Sequence, residues 1–304
     1  MADPTPPTPP SKALVFARRF GSTLLLWGLV GWVFYSRLSA GFLGLIALLT
    51  LLGTVEYFKM LRAAGVKCFP RFGILVGAAY CGLLHSMFFT GKTPPPDFDI
   101  LAVFIATAGA FALQLRHPIR GREPLVAVAA TVLGFIYVPF LFNFATRLVF
   151  LAPGPDAGKV TESGAFLLLW LLAVTKFSDM GAYITGTLIG RHKMIPHVSP
   201  GKTWEGFGGA LFFSQLAACG LFAWFPAELS VLGNWKHVVI LGFGLSILAV
   251  IGDLAESIVK RSLDAKDSGR MLPGIGGALD LIDSVCLTAP ALYFYLKWIP
   301  IHTA

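Results

Sequence analysis

The stretch HVVILGFGLSILAVIGDLAESI, residues 237–258, decides the architecture of this 304-residue chain. As a helix rising 1.5 Å per residue it reaches about 33 Å, enough to cross the hydrocarbon core of a bilayer. It nevertheless carries two carboxylates near its end, Asp253 and Glu256. A charged group at the centre of a membrane helix costs roughly 2.5–3.5 kcal/mol on insertion scales. Such residues therefore face one another, a wet cavity or a cation rather than lipid.

The rest of the chain repeats the apolar theme. Hydrophobic residues make up 56% and charged residues only 13%, too little polar surface for a water-soluble domain. Nine spans are expected, at about 20–36, 38–58, 72–90, 99–115, 124–146, 165–189, 205–226, 237–258 and 276–298. Proline-rich breaks separate some of them, as in Lys92-Thr-Pro-Pro-Pro-Asp97 and Ala152-Pro-Gly-Pro-Asp156. The expected class is an all-α, polytopic integral membrane protein. Residues 1–13 form a Pro/Thr-rich tail with nothing to pack, and residues 14–304 a single transmembrane domain. Arg18 and Arg19 before an apolar run resemble the opening of a signal peptide. No small-residue cleavage site follows, so a retained first helix is expected.

Basic residues supply an independent orientation. Lys12, Arg18 and Arg19, then Lys59 to Arg71, Arg116 to Arg122, Arg191 to Lys202 and Lys260 to Arg270 occupy alternate connections. Together they hold 17 of the 24 Lys and Arg residues. The positive-inside rule then puts the N-terminus in the cytoplasm and the C-terminus outside. The same bias, with anionic headgroups nearby, accounts for the net charge of +8 without nucleic acid as a partner. Cys68, Cys81, Cys219 and Cys286 show no CxxC spacing and read as packing residues.

Chemistry gathers in the last third. Asp280 and Asp283 open the ninth span in GGALDLIDS, three residues apart, as are Asp253 and Glu256 in the eighth. Residues at that spacing share a helix face, so two helices flanking one loop can offer oxygen ligands to a hard cation such as Mg²⁺. The loop between them holds Lys260, Arg261, Lys266 and Arg270, then Pro273, Gly274, Gly276 and Gly277 at the mouth of a helix. Basic side chains, open backbone N–H groups and a helix N-terminus all suit phosphate. Taken alone, Glu256 with Lys260 at i,i+4 reads equally as a helix-end ion pair, and the basic residues as topology signals.

A second polar stretch runs SDMGAYITGTLIGRHKMIPHVSPGKTWEGFGGAL, residues 178–211. Gly201-Lys202-Thr203 matches the end of a P-loop, but Pro196 stands where that motif needs glycine, and no strand is expected before it. Ser199, Lys202 and Thr203 instead form a polar turn at the mouth of a membrane helix, where a phosphate can dock. His192 and His197 read as ordinary surface histidines, and Lys176 and Asp179 as a self-neutralising pair.

These residues bring a family into view. Ser257, Lys260-Arg261, Lys266-Asp267, Pro273-Gly274-Ile275-Gly276-Gly277, Asp280-Leu281 and Asp283 resemble the signature of the phosphatidate cytidylyltransferases (CDP-diacylglycerol synthases). Asp179-Met-Gly-Ala-Tyr183, Ser199 to Gly206 and Gly252-Asp253-Leu-Ala-Glu256-Ser257 are similar to other parts of that family, as is Glu56-Tyr57. The likeness is specific over about residues 176–284. Two positions depart from it, Ile275 for the signature His and Leu281 for its Arg.

The resemblance implies transfer of CMP from CTP to phosphatidic acid, with release of pyrophosphate. It implies Asp253, Asp280 and Asp283 as Mg²⁺ ligands and Lys266 and Asp267 as further members of the catalytic set. Ser199, Lys202, Thr203, Lys260, Arg261 and Asp179 are expected around the phosphates or polar substrate groups. A homodimer is implied only by the resemblance. The expected location is the bacterial cytoplasmic membrane, among membrane lipids. The rival readings are a cation-coupled transporter with an acidic core, a transferase acting on another lipid phosphate, and a catalytically silent membrane relative.

Overall fold

A computed structural model describes residues 28–151, 160–265, 268–269 and 276–299. The tail at 1–13 and the start of the first expected span lie outside the described residues, as do Lys266, Asp267, Arg270 and Ile275. The described chain is mainly helical. Helix α1 covers residues 28–36, followed by α2 (Ser39–Ala63), α3 (Pro70–Phe89) and α4 (Phe98–Gln114). Next come α5 (Glu123–Phe135), a π-helical turn (Ile136–Phe140) and α6 (Phe144–Val149). The second half holds α7 (Glu162–Ile189), strands β1 (Lys193–Ile195) and β2 (Ser199–Thr203), α8 (Trp204–Trp224), α9 (Trp235–Ser262) and α10 (Ala278–Trp298).

Seven of these segments are long and apolar enough to cross a membrane, with Glu123–Val149 counted as one. Helix α4 is apolar but has only 17 residues. The expected fifth span is one membrane-length segment with an irregular turn inside it. Pro139 removes a backbone donor inside it, and the helix widens to a π turn at that point. Just beyond it, Asn143 donates its Nδ2 to the Pro139 carbonyl at 2.6 Å.

The structure also corrects the all-α expectation at one place. Residues 193–203 form an antiparallel hairpin pairing Lys193 with Thr203 and Ile195 with Ser199. A strand therefore does lead into α8, and the segment read as a polar turn is extended. Pro196 lies in its three-residue loop, where a missing N–H costs no ladder bond. Thr203 ends the strand and caps the helix, accepting the Gly206 N–H at 3.1 Å.

Helices in lipid gain little from apolar burial alone and associate through close packing and interhelical hydrogen bonds. The α7–α8 contact follows that rule. A Cβ on Gly181 would come within 2.5 Å of the Gly209 carbonyl, so only glycine permits this approach. Trp170 donates its Nε1 to the Ala218 carbonyl at 3.0 Å across the same pair, and Ser178 meets Ser246 of α9 at 2.9 Å. One large apolar cluster, including Trp170, Leu171, Leu245 and Val285, ties α7, α9 and α10 together. A smaller cluster of Tyr80, Leu84, Ala106 and Phe135 joins α3, α4 and α5.

Candidate active site

The site begins at Gly252. A side chain there would lie 2.8 Å from the Ser284 Cα and 2.9 Å from the Asp283 carbonyl, so α9 and α10 touch backbone to backbone at this point. The close crossing brings the next residue, Asp253, to Asp283. Asp253, Glu256 and Asp283 each offer a carboxylate oxygen, and these three atoms lie within 4.8 Å of one another. Glu256 and Asp283 are only 1% and 5% exposed, which makes their charge expensive without compensation.

The expected trio was Asp253, Asp280 and Asp283. In the structure Glu256 stands with Asp253 and Asp283 in the tightest carboxylate cluster, while Asp280, lining the same cleft, turns to the α10 N-terminus. Asp280 Oδ2 accepts from Ser268 Oγ at 2.7 Å and from the Gly277 N–H at 2.9 Å. Its Oδ1 takes Lys260 Nζ at 2.9 Å, and Lys260 also donates to Glu256 Oε2 at 2.8 Å. Sequence periodicity put Asp280 and Asp283 on one face; local capping geometry then separated their tasks. The expected Glu256–Lys260 pair is present, and Glu256 belongs to the carboxylate cluster as well.

Across from the cluster, Lys202 reaches Asp253 Oδ2 at 2.7 Å and the Val250 carbonyl at 3.2 Å. The hairpin carries it there, which explains why strand and site occur together. Arg261 braces that hairpin from α9, donating Nε to the Val198 carbonyl at 3.4 Å. Asp179 sits 3.6 Å from Lys176, as the spacing predicted. His192 is exposed and bonds Glu205 at 2.6 Å.

A cleft of about 480 Å³ collects most of these groups. Asp179, Ser199, Lys202, Thr203, Asp253, Asp280 and Asp283 line it together with apolar Tyr183, Phe207 and Val250. Thr203 is 4% exposed, and its oxygen is already the α8 cap. Lys260 and Arg261 lie beside the cleft rather than among its lining residues, and Lys266 and Asp267 fall outside the described residues.

One buried carboxylate was underread. Glu56 of α2 is 1% exposed, and its Oε2 accepts the Leu279 N–H at 3.0 Å, in the first turn of α10. A Cβ on Gly277 would come 2.8 Å from the same oxygen, so the approach to α10 packs directly on Glu56. An acid inside an apolar run was the available signal, the same one that marked Asp253. Leu281, where the signature has Arg, packs against the large apolar cluster.

The residues present fit a divalent cation. Among the described residues, five carboxylates (Asp179, Asp253, Glu256, Asp280 and Asp283) meet three ammonium groups (Lys176, Lys202 and Lys260) in and beside the cleft. Glu256 Oε1 is buried with no hydrogen-bond partner among the described residues. An all-oxygen donor set of this kind suits Mg²⁺ rather than a soft metal.

Comparison with known proteins agrees with this chemistry. A phosphatidate cytidylyltransferase from Mycobacterium bovis is 30% identical over 262 residues, covering 84% of this chain and 80% of its own. The phosphatidate cytidylyltransferase of Bacillus subtilis is 28% identical over 268 residues, covering 87% and 93%. An Escherichia coli protein, the uncharacterized protein YnbB, is 31% identical over 278 residues, covering 90% and 85%. The model of the cytidylyltransferase family matches residues 17–299, the whole helical bundle with its carboxylate cleft, and the chain belongs to that family.

Proposed function

We propose that the cleft transfers CMP from CTP to phosphatidic acid, giving CDP-diacylglycerol and pyrophosphate. The observation that carries this reading is the pairing of chemistries in one cavity. Carboxylates and Lys202 face apolar Tyr183, Phe207 and Val250, so a triphosphate and an acylated phosphate can meet there.

Asp253, Glu256 and Asp283 would hold a divalent cation such as Mg²⁺. Such an ion, when bound, neutralises developing charge at the α-phosphorus and on the departing pyrophosphate. The nucleophile needs no strong base, because the phosphatidate monoester is mostly ionised near neutral pH, its second pKa being about 6. Its oxygen forms the new bond to the α-phosphorus as the bond to the β-phosphate bridge breaks. Lys202, on the cleft wall beside Asp253, meets the charge of the triphosphate. Ser199 offers a hydroxyl donor there, and Lys260, Arg261 and Lys266 supply positive charge nearby. Asp280 fixes Lys260 and the start of α10, while Asp179 and Asp267 orient cations or polar substrate groups.

The reading carries a topology with it: nine spans, N-terminus and active face in the cytoplasm, C-terminus outside. Alternation of basic residues and the position of Lys202 and Lys260 at the carboxylate end of the bundle support that orientation. A place in the bacterial cytoplasmic membrane, supported by bacterial relatives, completes it, with a homodimer implied by the family resemblance alone.

The test is transfer of label from radioactive CTP to phosphatidic acid by the purified full chain in detergent micelles. CDP-lipid forming with Mg²⁺ and not with EDTA is the expected result. Folded protein that forms no product with any of several lipid phosphates overturns the reading.

A further inference from the structure

The far end of the bundle contains a second polar cavity. It holds about 320 Å³ where α3, α6 and α10 end and α4 begins. Arg147, Lys297 and Asp99 line it among the rings of Phe88, Phe144 and Tyr293. Arg147 is 7% exposed; its Nη2 donates to Asp99 at 2.7 Å, and Tyr80 donates to the same carboxylate oxygen at 3.0 Å. Its guanidinium also lies 5.5 Å from the centre of the Phe144 ring.

Two features remain after that pairing. The Arg147 Nε is buried without an acceptor among the described residues. Lys297, exposed and 5.7 Å from the Tyr293 ring centre, has no carboxylate partner among the described residues, so the described lining keeps net positive charge. A planar donor and an ammonium group lining one cavity match a phosphate oxyanion. The aromatic walls match acyl chains and the headgroup boundary. Lys297 is 17 residues along α10 from Asp280, about 26 Å at helical rise, so this cavity and the carboxylate cleft belong to opposite membrane faces.

We propose that this cavity binds the phosphate of an anionic membrane phospholipid as a resident ligand, in the leaflet opposite the carboxylate cleft. The inference holds whichever reaction the cleft performs. Native mass spectrometry of the full chain, titrated with phosphatidylglycerol in detergent, reads it directly. The wild type should retain one lipid more tightly than any other, and Lys297→Glu should weaken that binding about tenfold. Lys236→Glu, a charge change elsewhere at the same end of the bundle, should leave it unaltered. Arg147→Lys, which keeps the charge and removes the planar donor, should weaken it too. Inorganic phosphate at millimolar concentration should not displace the lipid. Equal retention by Lys297→Glu overturns the proposal, as does an equal loss in Lys236→Glu. Displacement by inorganic phosphate assigns the site to a free anion and overturns the lipid.

Discussion

At the start of α10, carboxylates outnumber ammonium groups among the described residues, and three of them crowd within 4.8 Å of each other beside an open cleft. Near its other end, Arg147 is matched to Asp99 with a tyrosine hydroxyl behind it. Both ends bury charge, but they do so for different reasons. The Arg147–Asp99 pair is matched charge for charge and joins α6 to α4, with the Arg147 Nε left over among the described residues. The carboxylate end leaves repulsion uncompensated by the described residues, an arrangement that costs stability and is kept where a ligand will bind. The balance of buried charge thus separates the two ends: clustered carboxylates suit a cation, whereas a matched pair with a spare Arg147 donor beside Lys297 suits an anion.

Mutations can break that contrast. Asp283→Asn removes one member of the repelling cluster. Turnover should fall by about a thousandfold or more, since cation-derived stabilisation is worth several kcal/mol at about 1.4 kcal/mol per decade. Thermal stability in EDTA should stay at or above wild type; a large loss of stability would make this end structural as well. Arg147→Met should do the reverse. Losing the guanidinium leaves the half-buried Asp99 with the Tyr80 hydroxyl as its donor and should cost about 1–3 kcal/mol, read as a lowered melting temperature in detergent. An unchanged melting temperature would mean that the pair contributes nothing to holding α4 against α6.

Glu56 tests the boundary between the two kinds of site, being structural in form yet attached to the functional helix. Glu56→Ala strands the Leu279 N–H, a loss of about 1–3 kcal/mol. It should lower turnover about tenfold while raising the Mg²⁺ concentration needed for half activity. Glu56→Gln keeps a carbonyl acceptor and should recover most of both. Equal damage from the two variants would show that the charge itself matters at α10.

The outcome of the sequence reading follows the range of the interactions involved. Apolar runs of bilayer length located α2, α3 and α7 to α10 because span length depends on local composition alone. The i,i+3 pairs Asp253–Glu256 and Asp280–Asp283 were legible for the same reason. The hairpin at 193–203 was missed because its strands have three and five residues, with polar positions that carry no apolar alternation. The partners of Asp280 were hidden in a cap, where one hydrogen bond from Gly277 directs a side chain that periodicity alone cannot steer.

By itself, then, the sequence determined that this chain lies in a membrane, that its carboxylates gather at the end of two helices, and which family signature they resemble. Each of these depends on hydropathy or spacing within a single segment. Only the tertiary structure decided which carboxylates meet, that Lys202 reaches Asp253, and that Glu56 holds the start of α10 from 223 residues away in sequence. Those choices depend on how closely two helix backbones approach, and that distance is set at Gly252 by what packs against it rather than by its neighbours in the chain.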